Sequence, residues 1–222
     1  MAFEFRKPPG WTFNAGQFVD ITLPNPPETD SEGNKRGFSV ASAPYEETLM
    51  ITTRMRDTAF KRVLKSEALE TEAKIEGPFG DLTLHDDAAR PAVLLTGGIG
   101  VTTFRSIVFQ AAHQKLPHRI VLFYSNRRPE DAAFLAELQA LQQTNPNYTL
   151  VATMTDMKDS KLPWAGETRQ IDEELLAKYT DATKNAIYYI TGPPGMVKGL
   201  QAMLLGSGVS RDDVRVEEYT GY

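Results

Sequence analysis

The rhythm of the chain changes once, near Pro91, and that change constrains the fold more than any single motif. Before it, apolar residues recur mostly at every second position: Phe18, Ile21 and Leu23, then Phe38 and Val40, then Met50-Ile51-Thr52-Thr53, then Ala73 and Ile75. Turn material such as Pro24-Asn25-Pro26-Pro27 and Gly77-Pro78-Phe79-Gly80 separates these runs. Short β-branched runs with such punctuation predict an antiparallel β barrel or sandwich. One helix interrupts it over residues 59–69, with Phe60, Val63 and Leu64 on one stripe. After Pro91 the continuous apolar runs Ala92-Val93-Leu94-Leu95 and Ile120-Val121-Leu122-Phe123-Tyr124 read as strands covered on both faces. Helical spacing at Phe104, Ile107, Val108 and Ala111, and again at Phe134, Leu138 and Leu141, falls between and after them. Strands over 148–155, 186–190 and 214–216 alternate with helices over 172–179 and along Met196, Leu200, Met203 and Leu204. Such βα alternation predicts a parallel sheet with right-handed crossovers. The expectation is therefore two domains. Residues 1–88 form an antiparallel β barrel, and residues 89–222 an α/β domain with a parallel sheet of five or six strands.

Composition removes several classes of function. Twenty-four Lys and Arg against 29 Asp and Glu leave a net charge of −5, so no basic excess exists to neutralise phosphates, and no nucleic-acid partner is expected. No apolar run approaches the roughly 20 residues that cross a bilayer. The opening MAFEFRKPPG has charges at residues 4, 6 and 7 and no apolar h-region, so a cytoplasmic location is expected. Cysteine is absent, which excludes disulfides, a thiolate nucleophile and cysteine-built iron–sulfur or zinc sites from this chain. His85, His113 and His118 form no H-E-x-x-H pair, so no metal site is expected, and no serine stands in a G-x-S-x-G elbow.

Three clusters carry candidate chemistry. The first α/β strand runs into Thr96-Gly97-Gly98-Ile99-Gly100-Val101-Thr102-Thr103 and then a helix. Glycines at such a turn let backbone N–H groups approach a pyrophosphate beside the positive end of the helix. Gly98 and Gly100 fit the dinucleotide spacing, whereas Thr103 takes the third glycine's place. No acidic residue closes the second strand; Ser125-Asn126-Arg127-Arg128 stands there, and an Arg pair suits a ribose 2′-phosphate. A second glycine turn, Thr191-Gly192-Pro193-Pro194-Gly195-Met196, lies at the same rim of the sheet. Taken singly, each is also readable as a tight turn or a solvated Arg pair. In the β half, Arg36-Gly37-Phe38-Ser39 offers a guanidinium, a flat ring and a hydroxyl within four residues, although the tetrapeptide alone reads more readily as a strand with a core Phe and a surface Arg. Alternation puts Arg36 and Phe38 on one face and Ser39 on the other. Arg54-Met55-Arg56-Asp57 is open between a solvated strand end and a phosphate-facing segment, and Trp164 reads as a loop anchor.

In this order, Gly16-Gln17-Phe18, Arg36-Gly37-Phe38-Ser39, Gly77-Pro78-Phe79-Gly80, Gly97-Gly98-Ile99-Gly100-Val101-Thr102, Gly192-Pro193-Pro194 with Met196, and Glu217-Glu218-Tyr219-Thr220-Gly221-Tyr222 span nearly the whole chain. The sequence resembles the ferredoxin–NADP reductase superfamily, a flavin barrel followed by a pyridine-nucleotide domain. The resemblance implies that Arg36 pairs with the flavin phosphates, that Phe38 packs on the isoalloxazine with Gly37 between them, and that Ser39 hydrogen-bonds near flavin N5. It places Ile51, Thr52 and Thr53 along the flavin, and Ala59, Phe60 and Lys61 at the helix start that cradles pyrophosphate. Gly97, Gly98 and Thr102 fall on the nicotinamide side, Arg127 and Arg128 at the adenosine end, and Gly192, Pro193 and Met196 at the nicotinamide end. Ser39, Thr191 and Glu218 are the implied catalytic residues, with Tyr219 and Tyr222 in the tail near the flavin.

The chain departs from the family at Phe38 (usually Tyr), Thr191 (often Cys), Thr103 (commonly Pro) and Lys61 (a serine). Residues 1–16 leave room for one strand around Phe3-Glu4-Phe5 where the family usually has two, so a barrel lacking its first strand is expected. The implied function is a flavin-dependent NAD(P)H oxidoreductase, with FAD in preference to FMN and NADP(H) in preference to NAD(H). Hydride passes from the nicotinamide to the flavin, and electrons pass onward to a ferredoxin- or flavodoxin-like protein or to a small molecule. The alternative is an electron-transfer subunit or interaction module of a larger redox complex, with little activity of its own.

Overall fold

A computed structural model describes residues 1–180 and 185–219. In the first half, β1 (Ala2–Arg6) pairs antiparallel with β4 (Thr48–Thr52), and β2 (Phe18–Thr22) pairs antiparallel with both β3 (Lys35–Ser39) and β5 (Lys74–Phe79). A bridge between Val40 and Ile51 joins the two sheets into the barrel wall. Alternation turns Val19 and Ile21 of β2, and Leu49 and Ile51 of β4, into one apolar core shared with Phe13, Val40 and Phe60. The single strand expected around Phe3-Glu4-Phe5 is β1.

Helix α1 (Ala59–Ser66) crosses this core with Ala59, Phe60, Val63 and Leu64 buried, and the Thr58 hydroxyl caps it by accepting the Lys61 N–H at 3.4 Å. The helix stops three residues short of its expected end. The next position on its buried stripe is Glu67, a carboxylate that the core cannot take, and beyond it Leu69 is 96% exposed.

The second half is a five-stranded parallel sheet in the order β10-β9-β6-β7-β8, comprising β6 (Ala92–Gly97), β7 (Ile120–Asn126), β8 (Tyr148–Met154), β9 (Ile187–Gly192) and β10 (Val214–Glu218). Helices α2 (Val101–His113) and α3 (Leu135–Thr144) cover one face. Helices α4 (Glu173–Tyr179) and α5 (Pro194–Gly206) cover the other. Leu94 and Leu122 point to the first face, and Val93, Leu95, Val121 and Phe123 to the second, which is why these strands read as unbroken apolar runs. The strand order reverses between β6 and β9, so both glycine turns open at one switch point on the carboxyl rim.

The two halves meet closely at Gly16, whose φ is +105°. A Cβ there would run into the Leu82 carbonyl oxygen, with Ile107 Cδ1 of α2 at 3.1 Å. Gly16→Ala combines a strained φ with a backbone clash and is expected to cost at least about 2 kcal/mol. Thermal unfolding checks this as a fall in apparent Tm of roughly 4–8 °C, and an unchanged Tm contradicts the packing described.

Candidate functional site

A cavity of about 620 Å³ lies between the halves. The barrel contributes Arg36 to Ser39 of β3, Thr52 and Thr53 at the end of β4, and Phe60 and Lys61 at the start of α1. The α/β half contributes Ile99 and Thr102 from the first glycine turn, and residues 217–219 from the end of β10. Segments about 180 residues apart in sequence thus face one space, with Ser39 Oγ 2.8 Å from Tyr219 Oη.

At one end of the cavity Arg36, Arg56 and Lys61 gather near the Asp30 and Glu32 carboxylates. Arg36 Nη2 donates to Asp30 Oδ1 at 2.9 Å, and the Ala59 N–H, at the N-terminus of α1, donates to Asp30 Oδ2 at 3.2 Å. A carboxylate held by a guanidinium and a helix-start amide stands where an oxyanion is stabilised by charge and by the helix dipole. Partial burial works against the Asp30 charge, but the Glu32 N–H, Arg36 and the Ala59 N–H hold its pKa below the ordinary value. Lys61 and Arg56 add positive charge; burial first, then Arg56 and Arg36, push the Lys61 pKa down. Residues 54–57 are exposed beyond the end of β4, and of them Arg56 lines the cavity.

Beside that end lie an apolar wall and hydroxyls. Arg36 and Phe38 share a face, as alternation requires, opposite Ile21 and Val19 of β2. The Phe38 and Phe60 rings are 5.8 Å apart, and the Arg36 guanidinium lies 5.3 Å from the Phe60 centroid. Thr52 Oγ1 is buried in the wall with no hydrogen-bond partner. Ile51 and Ala59, expected along the same ligand, lie in the barrel core behind this wall, 0% and 3% exposed.

At the other end, Tyr219 gathers hydroxyls from both halves. Its Oη accepts from Ser39 Oγ, hydrogen-bonds Thr103 Oγ1 and donates to Glu217 Oε2 at 2.6 Å. Thr103 of α2 therefore contributes a polar tie across the cavity. Burial first pushes the Glu217 carboxyl above its ordinary pKa, with the Tyr219 hydrogen bond opposing and the Asp81 charge reinforcing. The expected acid, Glu218, is exposed on the other face of β10. Both carboxylates line the cavity; Arg215, Glu217 and Tyr219 alternate on one face, and β10 runs parallel to β9 so that Glu217 lies beside Thr191. Tyr222 lies outside the described residues.

The remaining rim residues form a second group. Gly97, Gly192 and Met196 pack together: a Cβ on Gly97 would come 2.5 Å from Met196 Sδ, and one on Gly192, at φ +145°, would come 3.5 Å from the Gly97 nitrogen. Pro193 precedes α5, and Gly98, at φ +56°, opens the turn into α2. Thr191 is fully buried, its Oγ1 2.9 Å from Thr96 Oγ1 and 2.9 Å from the Gly100 carbonyl. A hydroxyl so enclosed ties β9 to the first glycine turn and presents nothing to the cavity. Arg128 forks onto Asp131 at 2.8 and 3.1 Å, whereas Arg127 is exposed. Between them and Gly97, the Asn126 amide is buried with neither atom hydrogen-bonded, a polar group that no local pattern singles out. Trp164 anchors its loop by donating to the Glu167 carbonyl at 2.8 Å.

Residues 94–202 match the oxidoreductase NAD-binding domain family. Along 93% of its length the chain is 23% identical to reductase component 2 of terephthalate 1,2-dioxygenase from a Comamonas species, of which it spans 59%. It is 27% identical to the NAD(P)H-flavin reductase of Aliivibrio fischeri over 79% of this chain and 73% of that one. The whole chain superposes on 92% of a ferredoxin NADP+ reductase from Neisseria gonorrhoeae, solved with FAD and NADP bound, with a TM-score of 0.78 at 22% identity.

The state of Glu217 is testable by pH. Its native pKa lies above the unfolded value of about 4.3, so its ionisation destabilises the native state as pH rises through the native pKa. Glu217→Gln is expected to raise Tm relative to the parent at pH 8, with the difference vanishing near pH 4. A difference constant across that range contradicts the buried carboxyl.

Proposed function

We propose that this chain, a member of the ferredoxin–NADP reductase superfamily, is a flavin-dependent NAD(P)H oxidoreductase. Residues 1–88 hold the flavin, residues 89–222 hold the nucleotide, and electrons leave to a separate acceptor. The observation that carries this reading is the single cavity with an anion corner and an apolar wall on the barrel side and the glycine turn of α2 on the other. A bound flavin would supply the ability to accept two electrons together and release them singly or as a pair, chemistry that the side chains of this cysteine-free chain lack.

The residues fit such a group. Arg36, released from Asp30, takes the phosphates together with Lys61 and the amides at the start of α1. Phe38 and Phe60 offer the ring an apolar bed backed by Ile51 and Ala59, while Gly37 leaves the strand without a side chain in the cavity wall. Thr52 and Thr53 at the end of β4 would line the edge of the ring, and Ser39 presents a hydroxyl that Tyr219 connects to Glu217. On the facing side, Thr102 and the amides of Gly97 and Gly98 receive the nicotinamide end, with Gly192, Pro193 and Met196 closing it. Holding the two bound groups in fixed orientation would be the chain's main contribution to the rate. FAD in preference to FMN is supported by the FAD in the Neisseria structure. NADP(H) in preference to NAD(H) is supported by Arg127, whose guanidinium is exposed beside the rim. The acceptor is a carrier protein or small molecule, a reading supported by the Comamonas relative, which is the reductase component of a dioxygenase. A cytoplasmic site of action belongs to the same proposal. No helix among the described residues is long and apolar enough to cross a membrane.

The deciding measurement is the absorbance spectrum of the purified protein. A yellow protein that bleaches on anaerobic addition of NADPH bears the proposal out, whereas a colourless one that takes up no flavin and oxidises no NADPH points to an interaction module instead. Arg36→Ala is expected to release the flavin. Arg127→Ala is expected to raise KM for NADPH roughly tenfold or more and to leave KM for NADH nearly unchanged, since a charged hydrogen bond contributes about 1.5–3 kcal/mol. Arg128→Ala has the smaller effect, because Asp131 already engages that guanidinium. Equal effects of Arg127→Ala on both nucleotides contradict the assignment.

A further inference from the structure

Arg105 is 5% exposed, although it lies off the apolar stripe of α2. Burying a guanidinium is unfavourable unless its charge and its donors are satisfied. Here all five donors are used. Nη1 donates to the Ala41 carbonyl at 2.9 Å and to Glu46 Oε2 at 2.8 Å. Nη2 donates to Glu46 Oε1 at 3.1 Å and to Glu137 Oε2 at 2.7 Å, and Nε donates to Glu137 Oε2 at 3.1 Å. The guanidinium also lies 4.6 Å from the Phe109 centroid and 5.0 Å from that of Phe134.

The acceptors come from two places. Glu137 belongs to α3, and Ala41 and Glu46 belong to the barrel segment that follows Ser39. That segment is tied to α2 along its length. Ser106 Oγ donates to the Ser42 carbonyl at 2.8 Å, and the Tyr45 ring stacks on His113 at 4.0 Å. Glu46 in turn accepts the Ala43 N–H, which fixes the shape of the segment. Arg105 lies one helical turn beyond Thr102, and Ala41 lies two residues beyond Ser39, so a short rigid path joins the two walls of the cavity.

We propose that Arg105 is a positioning residue. Its five-donor clamp on residues 41–46 and on Glu137 fixes how the α/β half sits on the barrel, and so sets the separation of Ser39 and Thr102 across the cavity. Buried ion pairs add little net stability over apolar replacements, which suits a role in fixing one arrangement over others. Lysine cannot substitute, because an ammonium has no planar fork to engage two carboxylates and a carbonyl together. The consequence for hydride transfer rests on the proposed function; the clamp itself does not.

The test separates the two. Because the chain has no cysteine, Lys65→Cys on α1 and Lys198→Cys on α5, both exposed, take nitroxide labels at those sites alone. The distance distribution between the labels is measured by double electron–electron resonance in three backgrounds. These are the parent, Arg105→Lys, and the charge-free triple variant Arg105→Met, Glu46→Gln, Glu137→Gln, which leaves no carboxylate stranded and carries the test if Arg105→Lys fails to fold. A narrow parental distribution that broadens or shifts in the variants bears the clamp out; a distribution identical to the parent's in the triple variant overturns it. In flavin-loaded protein, stopped-flow bleaching at saturating NADPH is expected to slow roughly tenfold or more in the variants while KM changes little. An unchanged rate overturns the link to the cavity, and a parent that takes up no flavin overturns the proposed function while leaving the distance result standing.

Discussion

Parallel strands deliver all their carboxyl ends to one edge of a sheet, and the arrangement of this molecule follows from that constraint. The turns after β6 and β9, the exposed Arg127 after β7 and Tyr219 after β10 all emerge on the same rim. The barrel is seated against that rim through Gly16, the 41–46 segment and Tyr219, so its β3 strand faces the first glycine turn. The cavity is lined by residues of both halves.

Much of this was legible in the sequence because the signals were local. Unbroken apolar runs mark strands covered on two faces, and glycines mark turns where backbone must come close; both survive in a linear reading of residues 92–100 and 187–192. The period-two runs similarly located β2, β3 and β4, and put Arg36 and Phe38 on one face.

What escaped depended on contacts distant in sequence. Arg105 reads as a surface charge beside the stripe of Phe104, Ile107 and Val108, yet α2 is covered on a second side by the barrel, and that covering is a tertiary fact. Asp30 lies in a Pro-rich loop with nothing local to connect it to Ala59 or Arg36. Glu217 and Glu218 are chemically identical neighbours, and only the pairing of β10 with β9 decides which one is enclosed. The paired hydroxyls of Thr191 and Thr96 likewise show a residue at a promising position spent on joining two strands.

The strand that completes the cavity is the last one of the sheet, and the partner of Tyr219 is Ser39, 180 residues earlier. Contacts of such separation form late, since a long loop must close before they can stabilise anything. As the chain leaves the ribosome the barrel is synthesised first, with the Arg36–Asp30 corner assembled and the far wall missing. Enclosure of the cavity therefore waits on β10, so a nascent chain has a half-built pocket open to solvent until that strand has joined the sheet.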